Sequence, residues 1–292
     1  MQEKRVLWMT VMMISISITA QVKGIVVDEN NKPISYVNIW AENENIGTTS
    51  EENGSFLINV NDPKNLVFSA LGYEKKTVKA AEAEKVILKE TTFKLDEVVI
   101  AKRFETRKLE IGNVKNETYQ AFDNGPRIDA KFFPYNPKHK KTKYIKQVTI
   151  FTDSEIESAT IKIHFYSVDS NGFPGDELLT KDFLVSVKKG VKKTYFDITD
   201  LNLRMPKTGI FIGYEKLIIE KNKLEKTITD LNTNQTKIQK TYYPFVLYNY
   251  VQREFIYTFF GGKWHKQTKE NVNNPSEKLM VYEPSINLVL TN

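Results

Sequence analysis

The stretch that decides the fold runs from Gly47 to Tyr73: Gly47-Thr48-Thr49, then Asn53-Gly54-Ser55-Phe56-Leu57-Ile58-Asn59-Val60, then Leu66-Val67-Phe68-Ser69, closing on Leu71-Gly72-Tyr73. Phe56, Ile58 and Val60 alternate with Leu57 and Asn59, the period of a strand with one buried face. Asn53-Gly54 supplies turn chemistry before that strand, and Asn61-Asp62-Pro63 ends it. Two such runs joined by short turns read as antiparallel pairing.

Working outward toward the N-terminus, the same rhythm recurs in Val22 to Val27 and Tyr36 to Trp40, separated by Asp28 to Pro33. Toward the C-terminus it recurs in Lys76 to Val78 and Lys85 to Leu88. Apolar runs every eight to twelve residues with turn signals between them predict a small β-sandwich over residues 21–98.

These residues carry a resemblance. The order Gly24, Val26, Pro33, Val37, Gly47-Thr48-Thr49, Asn53 to Phe56, Leu66 to Ser69 and Leu71-Gly72-Tyr73 resembles the carboxypeptidase-like regulatory domain. The resemblance implies a transthyretin-like seven-stranded sandwich that accompanies other modules and has no active site of its own. Many members carry Asp after the Gly-Thr-Thr run. Ser50 and Glu51 stand there in this chain, so no cation site is carried over.

The next segment, Leu95-Asp96-Glu97-Val98-Val99-Ile100, resembles the Leu-Asp-Glu-Val-Val stretch that ends this module in TonB-dependent outer-membrane receptors of Bacteroidota-type bacteria. There the strand is offered to TonB, and strand addition to a partner's sheet edge is the physical means. The plainer expectation is a last strand leading into a linker over 99–107, because a receptor also needs a barrel of many spanning strands.

Before residue 21, Lys4 and Arg5 precede an apolar run from Val6 to Ile18 and the small-residue end Thr19-Ala20. That order predicts a secretory signal peptide over residues 1–20, since the run is short for a membrane-spanning helix of about twenty apolar residues. Those residues hold two of the 42 basic and one of the 36 acidic side chains, so a net charge of +6 becomes +5 without them. A mild excess of dispersed lysines is ordinary for solvated loops and guarded edge strands, and no nucleic-acid partner is expected. The chain has no cysteine, which excludes disulfides, thiolate nucleophiles, cysteine-bound metals and a lipidated cysteine.

Residues 108–292 resume the strand pattern with longer, more aromatic runs, predicting a larger jelly-roll-like β-sandwich and an all-β chain. In Ile161-Lys162-Ile163-His164-Phe165-Tyr166 the apolar residues point one way, which predicts a wet face carrying His164. Ile163 to Asp169, Gly172 to Leu179 and Gly209 to Glu215 resemble the sandwich that accompanies the regulatory domain in exported Bacteroidota-type chains. Lys221 to Thr241 is polar and lysine-rich and predicts a solvated loop or short hairpin.

Catalytic chemistry finds little support. The three histidines, His139, His164 and His265, have no metal-ligand spacing, and no Gly-x-Ser-x-Gly turn offers a nucleophile. Asp169-Ser170-Asn171-Gly172 begins like a calcium loop, but Phe173-Pro174-Gly175 interrupts it, leaving a turn. No enzyme, metal or cofactor is expected. Between Tyr242 and Trp264 lie ten aromatic residues. Most would be core, with Tyr248, Tyr250 and Trp264 expected at the surface, where rings stack on sugars or anchor partners. The expected function is binding or adhesion in the cell envelope, to a glycan or another envelope component. The alternative is a structural or assembly partner of a TonB-dependent receptor working through Leu95 to Ile100.

Overall fold

The structure is a computed structural model describing residues 19–61, 64–91, 105–112, 119–123, 125–229, 234–268 and 279–292. Most of the expected leader and the whole of Leu95 to Ile100 lie outside these residues.

The first seven strands are β1 (Thr19–Val27), β2 (Asn38–Ala41), β3 (Gly47–Thr49), β4 (Ser55–Asn61), β5 (Asn65–Ser69), β6 (Lys76–Lys79) and β7 (Lys85–Ile87). They form a three-stranded sheet, β4-β1-β7, and a four-stranded sheet, β3-β2-β5-β6. All pairings are antiparallel except β1 with β7. The two sheets enclose Val26, Ile39, Phe56, Ile58, Leu66, Phe68, Val86 and Leu88, so the alternation seen in the sequence is the core-facing set. Gly54 has φ +78, and its N–H donates to the Glu51 carbonyl at 2.9 Å. Glycine adopts that conformation without the cost a Cβ imposes. Ser50 is fully buried. Its hydroxyl accepts the Val37 N–H at 2.8 Å and donates to the Ile34 carbonyl at 3.0 Å.

The remaining strands are β8 (Lys108–Ile111), β9 (Tyr119–Ala121), β10 (Ile128–Phe133), β11 (Tyr144–Ser154), β12 (Ala159–Val168), β13 (Pro174–Glu177), β14 (Phe183–Val187), β15 (Gly190–Asp197) and β16 (Ile210–Lys216). They continue with β17 (Lys223–Thr229), β18 (Thr236–Tyr242), β19 (Phe245–Arg253), β20 (Phe255–Phe260), β21 (Lys263–Thr268), β22 (Leu279–Pro284) and β23 (Ile286–Thr291). One seven-stranded sheet is ordered β13-β12-β16-β10-β20-β21, with β14 also on β12. The other is ordered β22-β19-β11-β23-β8, with β15 on β11 and β9 on β19. Ile161, Ile163, Phe165, Ile210 and Ile212 of the first sheet share a core with Val148, Ile150, Ile286, Leu288 and Leu290 of the second. Each is no more than 1% exposed, and burial of that extent is the main favourable term in folding such a sandwich.

The fold class is therefore all-β, as the periodicity indicates. Lys221 to Thr241, read as a solvated loop or short hairpin, contains the hairpin β17-β18, paired from Lys223↔Tyr242 to Thr229↔Thr236. Composition does not decide between the two, because a ribbon exposed on both faces has no apolar period to read. Asp169 to Phe173 is a turn: the Asp169 Oδ1 accepts N–H groups of Asn171 and Phe173, both at 2.8 Å.

Candidate functional site

The outer face of β12 and β16 carries a cluster of ionisable side chains, Lys162, His164 and Glu215. Alternation on β12 turns Lys162, His164 and Tyr166 away from the core, and register brings Glu215 of β16 opposite Lys162. The sequence read this face as wet. It is covered: Lys162 is 2% exposed, Glu215 2% and His164 8%. What covers it is the first sandwich. The Lys162 ammonium donates to the Tyr36 carbonyl at 2.9 Å, and the Asn38 amide donates to Glu215 Oε2 at 3.2 Å. Thr49 Oγ1 accepts the Ile218 N–H at 3.1 Å, and Glu51 Oε1 accepts the Glu220 N–H at 2.8 Å. Elsewhere along the joint, Trp40 packs edge-on against Phe259 at 6.1 Å, and Lys75 donates to the Gly262 carbonyl at 2.7 Å.

Within this joint, His164 Nδ1 lies 2.9 Å from Glu177 Oε2 and its Nε2 lies 2.6 Å from Glu215 Oε2. Lys162 pairs with Asp182 at 3.1 Å. Burial lowers the His164 pKa, but hydrogen bonds and charge from both glutamates outweigh it and raise the pKa to about 9. Burial works in the opposite direction on Glu215, where Lys162 and His164 hold the carboxyl below its ordinary value. Both imidazole nitrogens are occupied from opposite sides. The glutamates thus surround the ring without converging on a point, and among the described residues no group of three His, Cys, Asp or Glu could hold a metal ion. Tyr36 adopts φ +55, uncommon for a bulky residue, and its carbonyl is the one that Lys162 reaches.

The three aromatics expected at the surface separate. Tyr248 is 2% exposed, a correction with a clear cause: its hydroxyl donates to Asp129 Oδ2 at 2.5 Å, a buried carboxylate that also holds Arg127. Alternation could assign its face, but not the polar partner that draws it inward. Trp264 is half-buried on β21, edge-on to Tyr166 and Phe259 at 5.3 Å each. Tyr250 is 47% exposed. Its register partner across β19-β22 is Tyr282, 41% exposed, with ring centroids 4.9 Å apart and planes at 39°. The sequence reading missed Tyr282, because the pairing of β19 with β22 is set in three dimensions.

Beside the same ribbon lies a cleft of about 580 Å³ lined by Phe132, Phe133, Phe255, Lys131, Arg253 and Glu283, among others. Glu283 is 3% exposed and pairs with Lys131 at 3.1 Å. It also takes a two-pronged contact from the Arg253 guanidinium, through Nε and through Nη2 at 2.7 Å. No local motif marks this cleft, since its charges come from three separate strands.

The chain is similar to the TonB-dependent receptor SusC of Bacteroides thetaiotaomicron, 25% identical over 171 residues. That is 59% of this chain but 16% of the receptor, so the chain spans about a sixth of the length of the relative it matches. The family model of the CarboxypepD_reg-like domain matches residues 22–100, the stretch that contains β2 through β7 and all but the first three residues of β1. Residues 22–100 thus match the model of the CarboxypepD_reg-like domain, and within them β1 to β7 form the small sandwich that the sequence predicts.

Proposed function

We propose that this chain is a non-catalytic binding or adhesion protein of the cell envelope, with the first sandwich as a mount and the second as the ligand-facing part. The observation that carries the reading is the exposed pair Tyr250 and Tyr282, side by side on neighbouring strands. Two adjacent rings give a large contact area at low entropic cost, suited to a sugar ring or an apolar partner surface. The buried ionisable groups in the joint are spent on one another, which supports a structural use of charge over a catalytic one.

Recovery of envelope polysaccharide on the immobilised chain tests this. The wild-type protein retains material that the double variant Tyr250→Ala, Tyr282→Ala releases, with affinity reduced roughly tenfold or more. Equal retention by both proteins would remove the tyrosine pair from the account.

A second reading has its own support. The similarity to SusC extends over more residues than the stretch 22–100, which favours a structural or assembly partner of a TonB-dependent outer-membrane receptor. Leu95 to Ile100 would supply the contact strand. Co-purification of a receptor without any glycan binding would favour this reading over the first.

A further inference from the structure

The cleft beside β19 and β22 has no part in the tyrosine pair, yet its chemistry is specific. Glu283 is buried and held by two cations, so neither it nor Arg253 is free to reorganise. Arg253 spends Nε and Nη2 on Glu283 and one Nη1 proton on the Gln252 carbonyl at 3.0 Å. A guanidinium has five N–H donors, so two remain, held in a fixed plane. Around them stand Asn136, Gln252 and Glu254, all exposed, with half-buried His139. Phe132 and Phe255, also half-buried, form an apolar wall with centroids 6.0 Å apart.

This combination selects among ligand classes. A purely apolar molecule would strip water from the carboxamides and the guanidinium without replacing their hydrogen bonds, a costly exchange. The lining charges cancel, Lys131 and Arg253 against Glu254 and Glu283, so neither a polyanion nor a polycation gains a net attraction. An uncharged ring bearing hydroxyls on its rim and C–H groups on its face satisfies both walls. The volume of about 580 Å³ falls within the range of small-molecule sites, roughly 300–1,000 Å³.

We propose that this cleft is a saccharide subsite that takes one neutral sugar ring, with its C–H face on the Phe132 and Phe255 wall and its hydroxyls on Arg253 and the rim carboxamides. The proposal rests on the binding reading above and deepens it: the tyrosine pair grips a surface, and the cleft reads a single residue. Arg253 is the specificity-determining side chain, because its orientation is fixed before the ligand arrives, which lowers the ordering cost of binding.

The test is an array of immobilised mono- and oligosaccharides probed with the full chain, followed by calorimetric titration with the strongest soluble hit. Phe255→Ala removes one half of the apolar wall and leaves the Lys131, Glu283 and Arg253 side chains in place. Expected is saturable binding by the wild type, reduced roughly tenfold or more in both Phe255→Ala and Arg253→Ala. A soluble monosaccharide is bound equally by the wild type and by Tyr250→Ala. Sugar binding that survives Phe255→Ala overturns the cleft proposal, while its loss in the Tyr250 and Tyr282 double variant keeps the binding reading. Absence of binding to any sugar overturns the cleft proposal as well, and retention of envelope polymer then decides the broader reading separately.

Discussion

His164 is the residue on which the joint depends most. It is a cation between two carboxylates in a place with almost no water, and each neighbour it loses leaves a buried charge uncompensated. Because its pKa is raised from 6.5 to about 9 on folding, it contributes stability that is fully present below pH 6.5 and lost as pH rises through 9, worth about 3 kcal/mol. Glu215 works in the opposite direction. Its depressed pKa contributes stability present above 4.5 and lost as pH falls through its folded value. The melting temperature is therefore expected to be highest between about pH 4.5 and 6.5. The His164→Ala variant is expected to be about 3–5 kcal/mol less stable at pH 6 and to lack the alkaline decline. A variant that keeps the wild-type slope above pH 7 would show that another group governs it. None of this was legible in the string Ile161 to Tyr166 beyond the face on which His164 sits. Periodicity assigns a side chain to one side of a strand, and here the side assigned to water is where another sandwich docks.

At the scale of elements, period-two alternation located nearly every strand of both cores, because core strands must present one apolar face. The alternating stretch Ile161 to Tyr166 lies inside β12. The elements it missed are those without such a face. β13 and β21 are edge strands, and β17 with β18, polar on both sides, reads as a loop or short hairpin without a choice between them. The difference has a dynamic consequence, since local opening is easiest where few apolar contacts hold a backbone ladder. Hydrogen exchange is expected to be fast along β17 and β18 and slowest along β12 and β16, whose core-facing side chains are almost fully buried. Protection of β17 and β18 as strong as that of β16 would mean that a partner surface covers the hairpin.

At the scale of the whole molecule, the two sandwiches are joined by more than a linker. Hydrogen bonds reach from Tyr36, Asn38, Thr49, Glu51 and Lys75 into the second sandwich, and the charges between them are paired. Separating the halves would expose apolar surface and return Lys162, His164 and Glu215 to water only after their mutual contacts are lost, so the joint is expected to stay closed near neutral pH. The sequence predicts two sandwiches, but a joint built from two distant segments has no local signature. The chain lacks cysteine, so two spin labels can be placed cleanly at exposed positions, Ile87→Cys in the first sandwich and Tyr195→Cys in the second. Measured by pulsed dipolar spectroscopy, the distance between them is predicted to be a single narrow distribution at pH 6. A broad distribution would mean that the first sandwich tumbles independently and is no mount at all.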